Sequence, residues 1–125
     1  MSLLRFDNVT KAYAGTTPAL SEVSFAIEAG EMLFVTGHSG AGKSTLLRLV
    51  HLSERPSRGT VLVNERNLAK VRGRGVALHR RQVGVVFQDH RLLTDRSVFD
   101  NVALPLLIAG TPGGEVGKRV RTVLD

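Results

Sequence analysis

Cysteine and tryptophan are absent from this 125-residue chain, and Tyr13 is its single tyrosine. Without cysteine there are no disulfides and no thiolate metal sites, and nothing points to an oxidising compartment. Long apolar runs are lacking as well. The longest, Val102 to Ala109, is interrupted by Pro105, far below the roughly 20 residues that cross a bilayer. The N-terminal stretch Met1-Ser2-Leu3-Leu4-Arg5-Phe6-Asp7 has no secretory h-region. None of the four histidines is spaced with another histidine or an acid in the way of metal ligands, which argues against zinc. Acidic residues are missing from positions 66 to 81, which hold Arg66, Lys70, Arg72, Arg74, Arg80 and Arg81. The net charge of +6 is therefore uneven: residues 63–125 carry 11 basic and 6 acidic groups, residues 1–62 only 6 and 5. Such a stretch fits a solvated face best and an anionic membrane surface next. With no aromatic residue among its bases, it fits nucleic acid least.

A composition of 42% hydrophobic and 22% charged residues is globular, and 125 residues can bury one ordinary core. The most informative segment is Gly37-His38-Ser39-Gly40-Ala41-Gly42-Lys43-Ser44, which fits G-x-x-x-x-G-K-[ST] at every fixed position. A triphosphate is a concentrated anion, so a loop that holds it must turn consecutive backbone N–H groups inward. Gly37, Gly40 and Gly42 provide the backbone freedom for that. A helix starting near Lys43 aims its unpaired N–H groups at the same charge. Lys43 then reaches the β and γ phosphates and the Ser44 hydroxyl ligates Mg²⁺. His38 stands at a variable position of the motif. The plain alternative, a glycine turn joining strand to helix, leaves the lysine and the two hydroxyl residues Ser44 and Thr45 unexplained.

The flanks suit the motif. Met32 to Thr36 is an apolar run of strand length, and Leu46 to Val50 continues as an apolar helix. Alternation over Leu4–Val9 and Val23–Ile27, with a turn-like stretch at 14–18 between them, predicts an antiparallel ribbon. Residues 53–59 read as a connection, Thr60–Val63 as a strand, Ala77–Gln82 as a short helix and Val83–Phe87 as a buried strand ending at Gln88-Asp89-His90. Ser97 is a candidate helix cap with Asp100 at the third helical position, in a helix that runs to about Leu104, is kinked or stopped at Pro105, or resumes beyond it through Ala109. Val116, Val120, Val123 and Leu124 follow helical spacing. That pattern reaches Asp125 without a stop signal, so the expectation is a single domain, 1–125, that is incomplete.

Taken in order, Tyr13 in the ribbon, the loop Gly37 to Thr45 and Gln88 at a strand end resemble an ATP-binding-cassette ATPase domain. The segments Val86-Phe87-Gln88-Asp89-His90-Arg91-Leu92-Leu93 and Asp95 to Leu106 resemble the bacterial cell-division members of that family more than its export and lipoprotein-release members. The resemblance covers nearly the whole chain. It implies an α/β P-loop NTPase fold, with an N-terminal antiparallel β ribbon and a partial RecA-like core whose C-terminal half is absent. It also implies ATP and Mg²⁺ as ligands, held by Tyr13, Gly37, His38, Ser39, Gly40, Ala41, Gly42, Lys43, Ser44, Thr45 and Gln88, with Ser44 and Gln88 on the metal. Tyr13 matches the adenine-stacking aromatic of the family. Its residue-level alternative is a strand tyrosine packing on the ribbon. Gln88 matches the glutamine between Mg²⁺, the attacking water and the membrane partner, and its alternative is a solvated strand end.

The implied partners are a second ATPase subunit and an integral membrane protein, the latter met by the helix from Val98 onward, at the cytoplasmic face of the plasma membrane. The chain departs from the family at His51-Leu52-Ser53 and Asn64-Glu65, where many members have glycine. It also has no Leu-Ser-Gly-Gly-Gln signature, no strand ending in Asp-Glu and no later switch histidine. The family activity is ATP hydrolysis; whether these residues catalyse it alone stays open, with a non-catalytic ATP-binding fragment as the other reading. A GTP switch lacks its Asn-Lys-x-Asp and Asp-x-x-Gly elements here. A small-molecule phosphotransferase usually has its loop near the chain start, whereas 36 residues precede this one.

Overall fold

The computed structural model describes residues 2–125 in two compact units, one ending at Val85 and the other Val86–Asp125. In the first, β1 (Ser2–Lys11) pairs antiparallel with β2 (Leu20–Glu28) on one edge and with β3 (Arg58–Val63) on the other. β4 (Arg66–Asn67) extends β3, giving the order β2-β1-β3-β4. The ribbon expected from alternation is present and longer than predicted. Phe6 and Val9 point from β1 into the core, and Phe6 stacks on Phe25 across the register with ring centroids 4.7 Å apart. Helix α1 (Lys43–His51) lays Leu49 on the same core, which also takes Leu20, Leu52, Val61, Leu68 and Val71. Each apolar side chain fully buried in this way contributes about 1.5–3 kcal/mol, so the sheet and α1 hold each other in place.

Two non-glycine departures now have a conformation. Asn64 and Glu65, at φ 49° and 63°, form the two-residue turn that pairs Val63 with Arg66, the geometry of a type I′ hairpin. Leu52 ends α1 at φ 63°, where glycine is the usual residue, and its side chain is buried. The basic stretch contains β4, a 3₁₀ turn at Leu68–Lys70, and α2 (Arg74–Gln82), which starts three residues before the predicted helix. His79 is buried and its Nε2 donates to the Val50 carbonyl at 2.7 Å. Arg80 donates to the carbonyls of His51 at 3.3 Å and Leu52 at 3.0 Å. α2 therefore satisfies carbonyls left open at the end of α1. The six bases of the stretch are otherwise exposed, as a solvated face requires.

The two apolar runs read as core strands, Met32–Thr36 and Val83–Phe87, form no strand. Met32 is 80% exposed, Phe34 79% and Val86 90%. A buried parallel strand is held by ladder bonds on both edges and by helices on its faces. Among the described residues no strand pairs with either run, and hydrophobicity alone does not make a strand.

In the second unit, α3 (Val98–Ile108) starts at Ser97, whose Oγ accepts from Asp100 N at 3.0 Å, as its sequence position predicts. Asn101 holds the preceding turn, accepting from Leu93 N at 2.7 Å and donating to the carbonyls of Leu93 at 3.0 Å and Ser97 at 2.8 Å. α3 does not stop at Pro105 but continues to Ile108, one residue short of the far end expected for a helix that resumes beyond the proline. α4 (Gly113–Leu124) packs Val116 and Val120 on Ala103, flanked by Val102 and Leu106. Val123 and Leu124, predicted for the same face, are exposed, because the packing partners on α3 reach only the first two turns of that stripe. Among the described residues no helix is long and apolar enough to cross a membrane.

Candidate phosphate and base site

The loop at residues 37–42 leads directly into α1. Ala41 N donates to the His38 carbonyl at 3.1 Å and Leu46 N to the Gly42 carbonyl at 2.9 Å, so the loop closes as the helix opens. Gly42 immediately precedes α1 at φ 95°. A Cβ there would lie 2.3 Å from the Ala19 carbonyl oxygen and 2.9 Å from Leu20 Cδ2. Glycine is thus required twice, by the backbone angle and by the close approach of the β1–β2 connection. Gly40, at φ 85°, meets the angular requirement alone, since nothing lies within 4 Å of its Cβ position.

Lys43 folds back over the loop. Its Nζ donates to the His38 carbonyl at 2.8 Å and to the Gly37 carbonyl. Its ammonium therefore lies on two carbonyls of the loop that leads into α1, whose first N–H groups have no intrahelical acceptor. Ser44 is exposed in the first turn of α1, whereas Thr45 is buried beneath it. The Ser44 hydroxyl is open to a metal, and Thr45 can face an anion only through its backbone. His38 Nδ1 donates to the Ser39 carbonyl at 2.8 Å, a local contact consistent with a variable loop position. This donor set, one ammonium, a helix N-terminus and an exposed hydroxyl, matches the chemistry of a Mg²⁺-bound polyphosphate.

Tyr13 lies on the connection between β1 and β2, whose far end, Ala19, is the residue against Gly42. Ala19 N donates to the Lys11 carbonyl at 2.8 Å, closing the base of that connection. One short segment therefore carries the aromatic ring and abuts the phosphate loop. Tyr13 is 37% exposed; its hydroxyl donates to Glu54 Oε2, and the ammonium of Lys11, the last residue of β1, lies 5.2 Å from its ring centroid. Residues 53–59, read in the sequence as a mere connection, supply Glu54 and also Ser57, whose Oγ accepts from Ala12 N at 3.0 Å. No periodicity marks these residues. They reach Tyr13 because β1 and β3 are neighbours in the sheet.

Gln88 belongs to the second unit and is exposed. It sits in a tight turn in which His90 N donates to the Phe87 carbonyl at 3.1 Å and the Arg91 guanidinium covers the Phe87 ring at 4.0 Å. Among the described residues no three histidine or acidic side chains gather as a metal site.

The fold and sequence have clear relatives. The cell division ATP-binding protein FtsE of Escherichia coli is 50% identical over 123 residues, 98% of this chain and 55% of that protein. The methionine import ATP-binding protein MetN 1 of Salmonella typhi is 44% identical over 126 residues, 98% of this chain and 37% of that protein. The chain thus spans about half the length of the FtsE relatives it matches. Among solved structures, the ATP-binding cassette MJ0796, a dimer in a post-hydrolysis state bound to ADP and Pi, superposes with a TM-score of 0.85 at 31% identity. That match covers 95% of this chain and 54% of the cassette. A sequence profile described as ABC transporter matches residues 20–125, phosphate loop included, and the chain belongs to that family.

Proposed function

We propose that this chain is the nucleotide-binding part of an FtsE-like ATP-binding subunit, working in cell division at the cytoplasmic face of the plasma membrane. Its two units belong to one nucleotide-binding domain. In this reading the backbone of residues 37–42 and the N-terminus of α1 hold the phosphates, and Lys43 leaves the Gly37 and His38 carbonyls for the β and γ phosphates. Ser44 ligates Mg²⁺ and the Tyr13 ring stacks on adenine. Gln88 joins the metal when nucleotide is bound and passes the nucleotide state to an integral membrane partner of the FtsX type, met by α3. Val98, Leu107 and Ile108 of that helix are exposed apolar residues suited to such a contact. The dimeric cassette superposing on the chain supports a pair of ATPase subunits as the working form. The observation that carries the reading is the Lys43 ammonium poised on the loop carbonyls beside the open end of α1.

The similarity to MetN 1 favours a second reading, the ATPase subunit of a related transporter, which differs in the membrane partner and not in the nucleotide chemistry. Calorimetric titration with MgATP tests what the two share. Lys43→Ala is expected to weaken binding at least about tenfold, the effect of losing a charge-assisted contact of roughly 1.5–3 kcal/mol. Unchanged affinity would remove the basis of both readings. Co-purification with FtsX-type protein, and not with a methionine importer's membrane subunit, separates them.

A further inference from the structure

We infer that Glu54 is a positioning residue for the nucleotide base: its carboxylate holds the Tyr13 ring in a fixed orientation relative to the phosphate loop. The inference rests on the proposed role of Tyr13 as the base platform. A tyrosine on a surface connection swings unless its distal end is held, and a ring free to swing loses orientational entropy when a base stacks on it. Here the ring, the lysine over it and the backbone before it are all tied to one stretch, residues 54–57. The Tyr13 hydroxyl donates to Glu54 Oε2. The Lys11 ammonium, 5.2 Å from the ring centroid, is itself fixed by donation to the Arg55 carbonyl at 2.9 Å. Ala12 N donates to Ser57 Oγ at 3.0 Å, and Ser57 N donates to the Thr10 carbonyl at 2.8 Å.

On the other side of Tyr13, its own carbonyl accepts from Thr16 N at 3.2 Å and Thr16 Oγ1 at 2.9 Å, so the backbone is fixed as well as the ring. Glu54, Arg55 and Ser57 follow closely on α1, and α1 begins at Lys43. The platform and the phosphate cradle are therefore attached to the two ends of one nine-residue helix. Lys11 lies over the ring and Tyr13 is 37% exposed; in the inference a purine stacks on the face away from Lys11. Glu54 touches neither phosphate nor base in this arrangement; it acts through Tyr13.

The chain provides its own reporter, since Tyr13 is the only tyrosine and tryptophan is absent. A phenol that donates to a carboxylate has quenched emission, so Glu54→Ala should brighten Tyr13 without nucleotide. Binding of MgATP and of magnesium tripolyphosphate, which has the phosphates and no base, is then compared by calorimetry on the full 125-residue chain. Glu54→Ala is expected to weaken MgATP about two- to tenfold, the range for one lost hydrogen bond, and to leave tripolyphosphate unchanged. Tyr13→Phe should show the same loss, and Glu54→Ala should add nothing to it. Glu54→Gln, whose amide oxygen accepts the same bond, should restore most of the affinity. Equal weakening of both ligands by Glu54→Ala would reduce Glu54 to a structural tie and overturn the inference. So would an unaltered MgATP affinity in Glu54→Ala while Tyr13→Ala loses the preference for ATP, an outcome that leaves the base reading standing. If the unmodified chain or Tyr13→Ala shows no difference in that preference, the base reading falls and the inference with it.

Discussion

Replacing Gly42 by alanine, with Gly40→Ala as its partner experiment, isolates the close approach between the phosphate loop and the β1–β2 connection. Both glycines have positive φ, 95° and 85°, so each alanine meets the left-handed penalty of about 1–2 kcal/mol for an L-residue. Only at Gly42 does the added methyl meet matter, 2.3 Å from the Ala19 carbonyl oxygen and 2.9 Å from Leu20 Cδ2. The oxygen belongs to backbone closed off by the Ala19 N to Lys11 carbonyl bond, and Leu20 is buried in the core, so neither yields freely. Relieving such an overlap costs typically 1–3 kcal/mol. The expected totals are about 2–5 kcal/mol for Gly42→Ala and about 1–2 kcal/mol for Gly40→Ala. Urea unfolding followed by far-ultraviolet circular dichroism reads the difference: at a slope of about 1–3 kcal/mol per molar urea, the Gly42 variant should unfold at clearly lower urea than the Gly40 variant. MgATP affinity should fall in both, because the loop angles serve the ligand in both. Coincident unfolding midpoints would mean that the loop does not bear on Ala19, and the physical link between the phosphate loop and the β1–β2 connection would be lost.

Glu65→Gly should stabilise the chain by up to about 1–2 kcal/mol, by removing a left-handed glutamate and leaving the favoured Asn-Gly turn between β3 and β4; a lower thermal midpoint would contradict the type I′ assignment. His79→Leu should destabilise by about 1–3 kcal/mol, because it strands the Val50 carbonyl at the end of α1 while keeping an apolar side chain in the buried site. Arg80→Ala, whose contact to the His51 carbonyl is exposed and whose contact to the Leu52 carbonyl is part-buried, on a side chain that is itself exposed, should cost about 1 kcal/mol or less. The same urea titration ranks these two, and an Arg80 effect larger than that of His79 would reverse the account of how α1 ends.

The phosphate loop was legible because its chemistry fixes residue types at fixed spacing, and the ribbon because one face of β1 is buried and alternation follows. The Ser97 cap was legible for the same local reason: a side chain meeting an N–H three residues away needs no tertiary information. Met32–Thr36 and Val83–Phe87 were misread because a strand is a relation between segments, and composition reports only one side of it. β4 is two residues long and leaves no periodic trace. Val123 and Leu124 share the spacing of Val116 and Val120, but burial depends on how far α3 reaches, which spacing does not encode. The partner of the Tyr13 hydroxyl lies 41 residues away. It became visible only once the sheet had placed β1 beside β3.

The apolar run at Met32–Val35 has a bearing on how this polypeptide behaves in solution. It is four consecutive hydrophobic residues with no charge and no proline, exposed and outside any ladder. Such a segment readily adds strands from neighbouring molecules. Self-association should therefore rise with protein concentration even when the first unit is fully folded, since the exposed run belongs to the folded state and not to an unfolded minority. Substitutions that tighten the core would leave this tendency intact. A single lysine at Phe34, the kind of charge that guards natural sheet edges, should suppress it.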